Sequence, residues 1–243
     1  VKGDWGAGTP GQRAVTRRMC ADHGTRPFAF VLTTGDNFYA PDGRATDANF
    51  RRPEACLLRA GVRWRAAWGN HDLGGDGTAT ALASPRRWYT FATGPVRVVV
   101  LDANRPGDAA QLAFLRRALA AAREPAVVVA FHQPVFSAGY HRPSAEQQEL
   151  WAPLFRHHRV SLVLQGHNHQ YERIVRDGVT YLTSGGGGAT LYPCVRLPEG
   201  LRRCVPKHHY LDVTVGSAVL VAAAVEPSGA VIERVRIPLP AAR

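Results

Sequence analysis

The chain has 243 residues, a length that suits one large α/β core, and we predict a single domain over residues 1–243. Hydrophobic residues make up 45% and charged residues 20%, which excludes a disordered chain, and no apolar run reaches membrane-spanning length. The net charge of +11 would attract phosphate-bearing ligands, but the basic residues are scattered, so specific nucleic-acid binding is not expected.

Short apolar runs alternate with helical segments in the first two thirds of the chain, which is typical of a layered α/β domain. The strands predicted there cover residues 28–34, 62–68, 96–102, 126–131 and 160–165. Helices are predicted over 9–24, over 109–122 behind the N-cap Asp108, and over 144–157 behind the capping residue Ser144. The last third is rich in strands, predicted at 171–176, 179–184, 210–215, 218–225 and 230–237. This order predicts two mixed sheets packed face to face with helices outside.

Four cysteines form an even set without a CxxC pair, which argues against zinc-ribbon or thioredoxin-like chemistry. A local bridge between Cys194 and Cys204 would hold the loop between them, and Cys20 and Cys56 would then pair. Buried free thiols are the alternative. Disulfides would indicate an oxidising compartment, so we predict a secreted or otherwise extracytoplasmic protein.

Five polar clusters follow one another along the chain, and nearly every one comes directly after an apolar strand, where α/β sheets place their ligands. They are Gly3-Asp4-Trp5-Gly6, Gly35-Asp36-Asn37-Phe38-Tyr39, Gly69-Asn70-His71-Asp72, His132-Gln133-Pro134 and Gly166-His167-Asn168-His169. A single histidine beside a strand is more often structural than functional. Five clusters that all carry metal-type donors predict one shared site.

In this order, the motifs GDWG, GDNFY, GNHD, FHQP and GHNH resemble those of the metallophosphoesterase superfamily. The chain is most similar to the purple acid phosphatases, especially the tartrate-resistant type, because Gly6 replaces the histidine of the usual Asp-x-His and Tyr39 follows Asp36. The resemblance implies a four-layer α/β/β/α sandwich of two mixed sheets. One departure is that the family has an apolar strand before the first motif, whereas only Val1 and Lys2 precede Gly3, so we expect a shortened core strand.

The resemblance also implies two metal ions whose ligand sets share Asp36. The first set is Asp4, Asp36, Tyr39 and His169. The second set is Asp36, Asn70, His132 and His167. Carboxylates and a phenolate suit Fe(III), whereas amide and imidazole donors suit Fe(II), Zn(II) or Mn(II). For Tyr39, the alternative is an aromatic side chain that packs on a loop.

The implied reaction is acid phosphatase-like hydrolysis of phosphate monoesters by a metal-bound hydroxide. A histidine near its ordinary pKa would protonate the leaving group. His71 is the first candidate, and His141 is the second because it follows His132 by nine residues, as in the resembling family. A surface-loop position is the alternative for His141, and Asp72 would either orient the acid or stabilise a turn.

The motifs assign no role to two further features. His208 and His209 have no motif around them and are expected in solvated loops. The four glycines at 185–188 follow a predicted strand, and they indicate either a flexible turn or a close approach to the site.

Two other functions remain open. A phosphodiesterase or nucleotide pyrophosphatase would use the same scaffold, because the motifs set the chemistry rather than the leaving group. A noncatalytic metal-binding scaffold is the second alternative, although every matched ligand position is filled. We expect a monomer that acts on a small phosphorylated substrate and has no membrane partner.

Overall fold

The computed structural model describes residues 1–239, which form helices and strands in an order close to the predicted one. The α-helices are α1 (Pro10–Thr25), α2 (Ala55–Arg59), α3 (Gly77–Ala81), α4 (Ala109–Ala121), α5 (Ala145–Leu150) and α6 (Ala152–His157). The strands are β1 (Phe30–Thr33), β2 (Arg63–Ala66), β3 (Tyr89–Thr93), β4 (Val96–Val100), β5 (Ala126–Ala130), β6 (Leu162–Gln165), β7 (Tyr171–Arg176), β8 (Val179–Ser184), β9 (Leu201–Val205), β10 (Tyr210–Val215), β11 (Val219–Val225) and β12 (Val231–Pro238). A π-helical turn (Asp47–Arg51) and a 3-10 turn (His71–Gly74) complete the elements.

The larger sheet has the strand order β3-β4-β5-β6-β8-β7-β9. Strands β4, β5, β6 and β8 run parallel, so their carboxyl ends lie along the same edge. Every residue of β5 is buried, because parallel strands in this position are covered on both faces. Apolar runs such as Ala126–Ala130 therefore predict the central strands well.

The second sheet is assembled from the parallel pair β1-β2 and the antiparallel group β10-β11-β12. Val1 and Lys2 join the two parts. The amide of Leu211 donates to the carbonyl of Val1 at 2.9 Å, and the amide of Lys2 donates to the carbonyl of Leu32 at 3.0 Å. The segment before Asp4 thus lies between β1 and β10, the position expected of the first core strand.

Three apolar clusters define four layers. Alternate residues of β4, including Val98, pack between the sheets with Leu220 of β11. The opposite face of β4, represented by Val99, packs against α4 and against Trp151 beside α6. Met19 of α1 lies in the cluster that covers the outer face of the second sheet. Because strand side chains alternate between faces, each sheet contributes to two clusters, and the predicted four-layer sandwich is confirmed.

One predicted helix needs correction, and two strands of the larger sheet were not predicted. The single helix predicted over 144–157 is divided at Trp151 into α5 and α6, because Pro153 lacks the amide that would continue the helical hydrogen bonds. Strands β3 and β9 were not predicted. They lie at the two edges of the larger sheet, where side chains are only partly buried and the apolar signal is weak.

Covalent and ionic links fasten the outer segments. Disulfides join Cys20 to Cys56 and Cys194 to Cys204, the pairing considered from the sequence. The ammonium group of Lys2 contacts the carboxylate of Glu54 at 2.6 Å, and both side chains are fully buried. Among residues 1–239, no helix combines the length and apolarity required to cross a membrane.

His209 is fully buried rather than solvated, which corrects the expectation for this residue. Its Nδ1 donates to the carbonyl of Lys207 at 2.9 Å, and its ring packs edge-on against Tyr171. Within residues 1–239, its Nε2 has no hydrogen-bond partner. Burial lowers the pKa of His209 to about 4, since a proton on Nε2 would place an unpaired charge in the core.

The pKa of His209 predicts acid sensitivity. The unfolded chain binds the proton more tightly than the folded protein, so stability is lost as pH falls from about 6.5 towards 4. Between pH 7 and 5, the free energy of unfolding of a His209→Gln variant should fall by about 2 kcal/mol less than that of the native protein. Urea unfolding at both pH values measures this difference. Equal losses in the native and His209→Gln proteins would contradict the assignment.

Candidate metal centre

The loops after β1, β2, β5, β6 and β8 converge with the Asp4 loop at one edge of the two sheets. This convergence brings the predicted donors together, although they are far apart in sequence. Two groups emerge, in each of which the donor atoms lie within 4.8 Å of one another. The groups are Asp4, Asp36 and His169, and Asp36, His132 and His167. Asp36 belongs to both, as a bridging ligand would.

The first group gains a phenol oxygen from Tyr39. Nε2 of His169 lies 3.3 Å from Oδ1 of Asp4. The hydroxyl of Tyr39 lies 3.0 Å from the same His169 nitrogen and 3.5 Å from Oδ1 of Asp4. Tyr39 therefore points into the site, which speaks against the alternative that it only packs on a loop.

The second group has two nitrogen donors, His132 and His167. Nε2 of His132 lies 3.2 Å from Oδ2 of Asp36, and Nδ1 of His167 lies 3.3 Å from the same His132 nitrogen. Two imidazole nitrogens that bind one ion tetrahedrally at about 2.1 Å are separated by about 3.4 Å. The pair thus has the spacing that a common cation requires.

Asn70 lies in the segment that packs against Asp36, the residue common to both groups. Its neighbour Gly69 is packed so tightly that an added Cβ would come within 2.1 Å of Oδ1 of Asp36. Its other neighbour, His71, donates its amide to the same oxygen at 2.9 Å. Asn70 is exposed and stands between these two contacts.

Hydrogen bonds to backbone carbonyls orient two of the histidines. Nδ1 of His132 is 2.8 Å from the carbonyl of Thr34, and Nδ1 of His169 is 2.6 Å from that of Thr190. A carbonyl oxygen can only accept a hydrogen bond, so each Nδ1 must carry the hydrogen, and each Nε2 faces the carboxylates. This is the arrangement that supports metal-ligating histidines in proteins.

Three of the donors adopt left-handed backbone conformations that side chains other than glycine rarely occupy. The φ angles are 56° for Asp4, 48° for Asp36 and 68° for His167. Each such residue costs about 1–3 kcal/mol, and strain of this kind concentrates at functional sites. The strain places three donors at one sheet edge, and the surrounding packing maintains it.

Burial and neighbouring charges shift the pKa values of several donors. Burial opposes charge on His132, but the neighbouring Asp36 and Asp4 outweigh it and raise the pKa of His132 to about 10. Burial and the nearby His132 lower the pKa of His167 to about 3. Burial, together with the charges of Asp4 and Asp36, raises the pKa of Tyr39 far above its usual range. The carboxylates therefore create a negative potential at this edge that favours a cation.

Asp72 stabilises loops, which was one of the two roles considered for it. Its carboxylate accepts hydrogen bonds from the amide of Asn37 at 2.9 Å, the amide of Gly69 at 2.7 Å and the hydroxyl of Thr78 at 3.0 Å. Burial raises its pKa to about 6. Asp72 thus joins the loop of Asp36 to the loop of Asn70.

The two candidate acids border the donors on different sides. The ring of His71 lies 4.4 Å from that of Tyr39, and its side chain is 48% exposed. The ring of His141 lies 4.2 Å from that of His167 and is partly buried. Burial and the nearby His169 lower the pKa of His141. Contact with His167 argues against an unconnected surface position for His141.

Sequence reasoning assigned no role to three features at the site. Asn168 is buried and accepts the amide of His141 at 2.8 Å. Tyr192 stacks on His169 with ring centroids 4.1 Å apart. The glycine run passes directly beside the Asp4 loop, since a Cβ on Gly185 would lie 3.0 Å from Oδ2 of Asp4. The run of glycines after a strand was a usable signal for this close approach, whereas nothing around Tyr192 indicated its position.

Residues 1–171 match the calcineurin-like phosphoesterase family. The tartrate-resistant acid phosphatase type 5 of Homo sapiens is 28% identical over 296 residues, covering 97% of this chain and 89% of that protein. The purple acid phosphatase PPD1 of yellow lupin has a similar structure, with a TM-score of 0.78 and 18% identity over 95% of this chain and 49% of that chain. The Plasmodium protein GAP50, described as the anchor in the inner membrane complex, has a TM-score of 0.86 and 17% identity over 98% and 87% of the chains. At these identities, the two structural matches show a shared fold alone.

Because the family match covers more than half of its length, the chain belongs to the calcineurin-like phosphoesterase family. The similarity to tartrate-resistant acid phosphatase type 5 supports the purple acid phosphatase type that the motifs predicted. The predicted class of enzyme, a hydrolase of phosphoric esters that binds metal, is confirmed.

The packing of Gly69 gives a test of the site that replaces none of the donor residues. In a Gly69→Ala variant, the new Cβ would come within 2.3 Å of the backbone nitrogen of Asp36, so the shared carboxylate must move. We expect a loss of bound metal, measured by elemental analysis after dialysis. Gly24→Ala is the matched control, because a Cβ there meets nothing within 4 Å. Full metal content in the Gly69→Ala protein would refute the arrangement.

Proposed function

We propose that the protein hydrolyses phosphate monoesters with two metal ions, as an acid phosphatase does. The observation that carries this proposal is the pair of donor groups that share Asp36 at one sheet edge. In this proposal, Fe(III) is held by Asp4, Asp36, Tyr39 and His169. The second ion, Fe(II), Zn(II) or Mn(II), is held by Asp36, Asn70, His132 and His167.

The chemistry of the donors fits two different ions. The group around Tyr39 supplies mostly oxygen, whereas His132 and His167 give the other group two nitrogens. Hard trivalent ions prefer oxygen, and borderline divalent ions accept imidazole. When bound, such a pair would polarise the phosphate, acidify water and offset charge on the attacking and leaving oxygens.

The protein itself orients these groups and supplies a proton. Hydrogen bonds of His132 and His169 to backbone carbonyls direct their Nε2 atoms to the site, so little reorganisation is needed. His71 and His141 border the donors and are both reached by solvent, which allows each to be reprotonated between turnovers. We propose that one of them protonates the leaving oxygen.

The location of the protein outside the cytoplasm is also a proposal. It is supported by the two disulfides, Cys20–Cys56 and Cys194–Cys204, because such bonds persist in oxidising compartments.

Hydrolysis of an aryl phosphate monoester and of its diester tests the function directly. We expect turnover of the monoester and little of the diester, with activity lost on chelation and restored by iron with zinc. Preferential cleavage of the diester would instead support the phosphodiesterase alternative. Metal bound without any hydrolysis would support a noncatalytic scaffold.

The colour of the protein tests the ligand assigned to Tyr39. A phenolate bound to Fe(III) produces a visible charge-transfer band, so the purified protein should be purple or pink. Replacement Tyr39→Phe removes the phenolate oxygen and should abolish the band. Tyr192→Phe is the control, since its ring stacks on His169 and does not depend on the hydroxyl. A band that survives in the Tyr39→Phe protein would exclude this tyrosine as the ligand.

A further inference from the structure

We propose that Arg196, held in place by the Cys194–Cys204 bridge, positions His141 for proton transfer to the leaving group. Arg196 is a positioning residue in this account, because it acts on the loop of His141 and not on the substrate. The inference rests on the proposed function and takes His141, rather than His71, as the acid.

The guanidinium of Arg196 holds the backbone just before His141 by hydrogen bonds. It donates to the carbonyl of Gly139 and, through both terminal nitrogens, to the carbonyl of Tyr140 at 3.1 and 3.2 Å. The amides of Val195 and Arg196 both donate to the carbonyl of Ala138, at 2.8 and 2.9 Å. Arginine suits this task because its several donors have a fixed planar geometry. Three successive carbonyls are thus held from one side.

The opposite side of the same loop is held from the interior. The side-chain oxygen of Asn168 accepts the amide of His141 at 2.8 Å, and its nitrogen donates to the carbonyl of His141 at 3.0 Å. The same nitrogen donates to the hydroxyl of Ser137 at 2.7 Å. Asn168 lies between the proposed ligands His167 and His169. Asn168 therefore links the position of His141 to the metal centre, and Arg196 holds the same loop by hydrogen bonds from the other side.

The Cys194–Cys204 bridge explains how Arg196 can keep a fixed position although it lies in an exposed loop. Val195 and Leu197 are 50% and 92% exposed, so this stretch gains little from apolar burial. A disulfide joins Cys194 to Cys204 of β9. In the sheet, Cys204 is paired with Glu172 of the neighbouring strand β7. Because β7 begins directly after His169 and Gln170, the bridge fastens Arg196 to a strand that leaves the metal centre.

This arrangement predicts a defect that depends on the leaving group. A poor leaving group such as an alkoxide needs the proton, whereas nitrophenolate departs without it. Misplacement of a catalytic group by about 1 Å can cost on the order of 100-fold. An Arg196→Ala variant should therefore hydrolyse an alkyl phosphate roughly 10- to 100-fold more slowly, with little change for nitrophenyl phosphate.

The experiment compares kcat for these two monoesters in the native protein and in Arg196→Ala. Arg202→Ala is the control, because this exposed arginine lies between the bridged cysteines. A second arm places Arg196→Ala in a His141→Ala background, where no further loss is expected once the positioned group is gone. The double variant Cys194→Ser with Cys204→Ser should show the same preference for the better leaving group. Metal content is measured for every variant, and it should stay unchanged.

Three results would overturn the inference while leaving the proposed function intact. The first is an equal loss with both substrates, and the second is a loss that persists in full without His141. The third is unchanged hydrolysis of the alkyl phosphate by Arg196→Ala. A native protein that hydrolyses neither substrate would overturn the proposed function, and the inference would fall with it.

Discussion

The carboxylate of Asp36 is the constraint on which the rest of the site depends. It is the member common to both donor groups, so its position decides whether two cations can lie side by side. Three contacts fix it: the imidazole of His132, the amide of His71 and the close packing of Gly69. The amide of His71 and the packing of Gly69 come from the loop after β2, and His132 comes from the segment after β5. The two-sheet sandwich is the framework that brings those loops to one edge.

Assembling this edge is energetically unfavourable by itself. It gathers buried carboxylates and places Asp4, Asp36 and His167 in left-handed conformations, each costing about 1–3 kcal/mol. The surrounding structure offsets this cost through three apolar clusters and a buried carboxylate, Asp72, that locks two of the loops together. The result is a site whose donors are held in position by the surrounding protein. Preorganisation of this kind is how protein sites stabilise charge that develops during a reaction.

Much of this arrangement could be predicted from the sequence, and the reason is local. A buried parallel strand such as β5 is an apolar run, and the polar residue that follows it, His132, stands at the sheet edge. Contacts between distant loops left no comparable pattern in the sequence. Asn168 reaches His141 across 27 residues, and Arg196 reaches Gly139 across 57. Their roles depend on which loops meet in three dimensions, and so does the burial of His209.

Anomalous X-ray diffraction from crystals of the metal-loaded protein tests the central claim most directly. Data collected on both sides of the iron and zinc absorption edges locate each metal independently of any assay. We expect two peaks, one on each side of the Asp36 carboxylate, with the iron peak nearer Tyr39. A single peak, or peaks away from Asp36, would contradict a carboxylate shared by two metals.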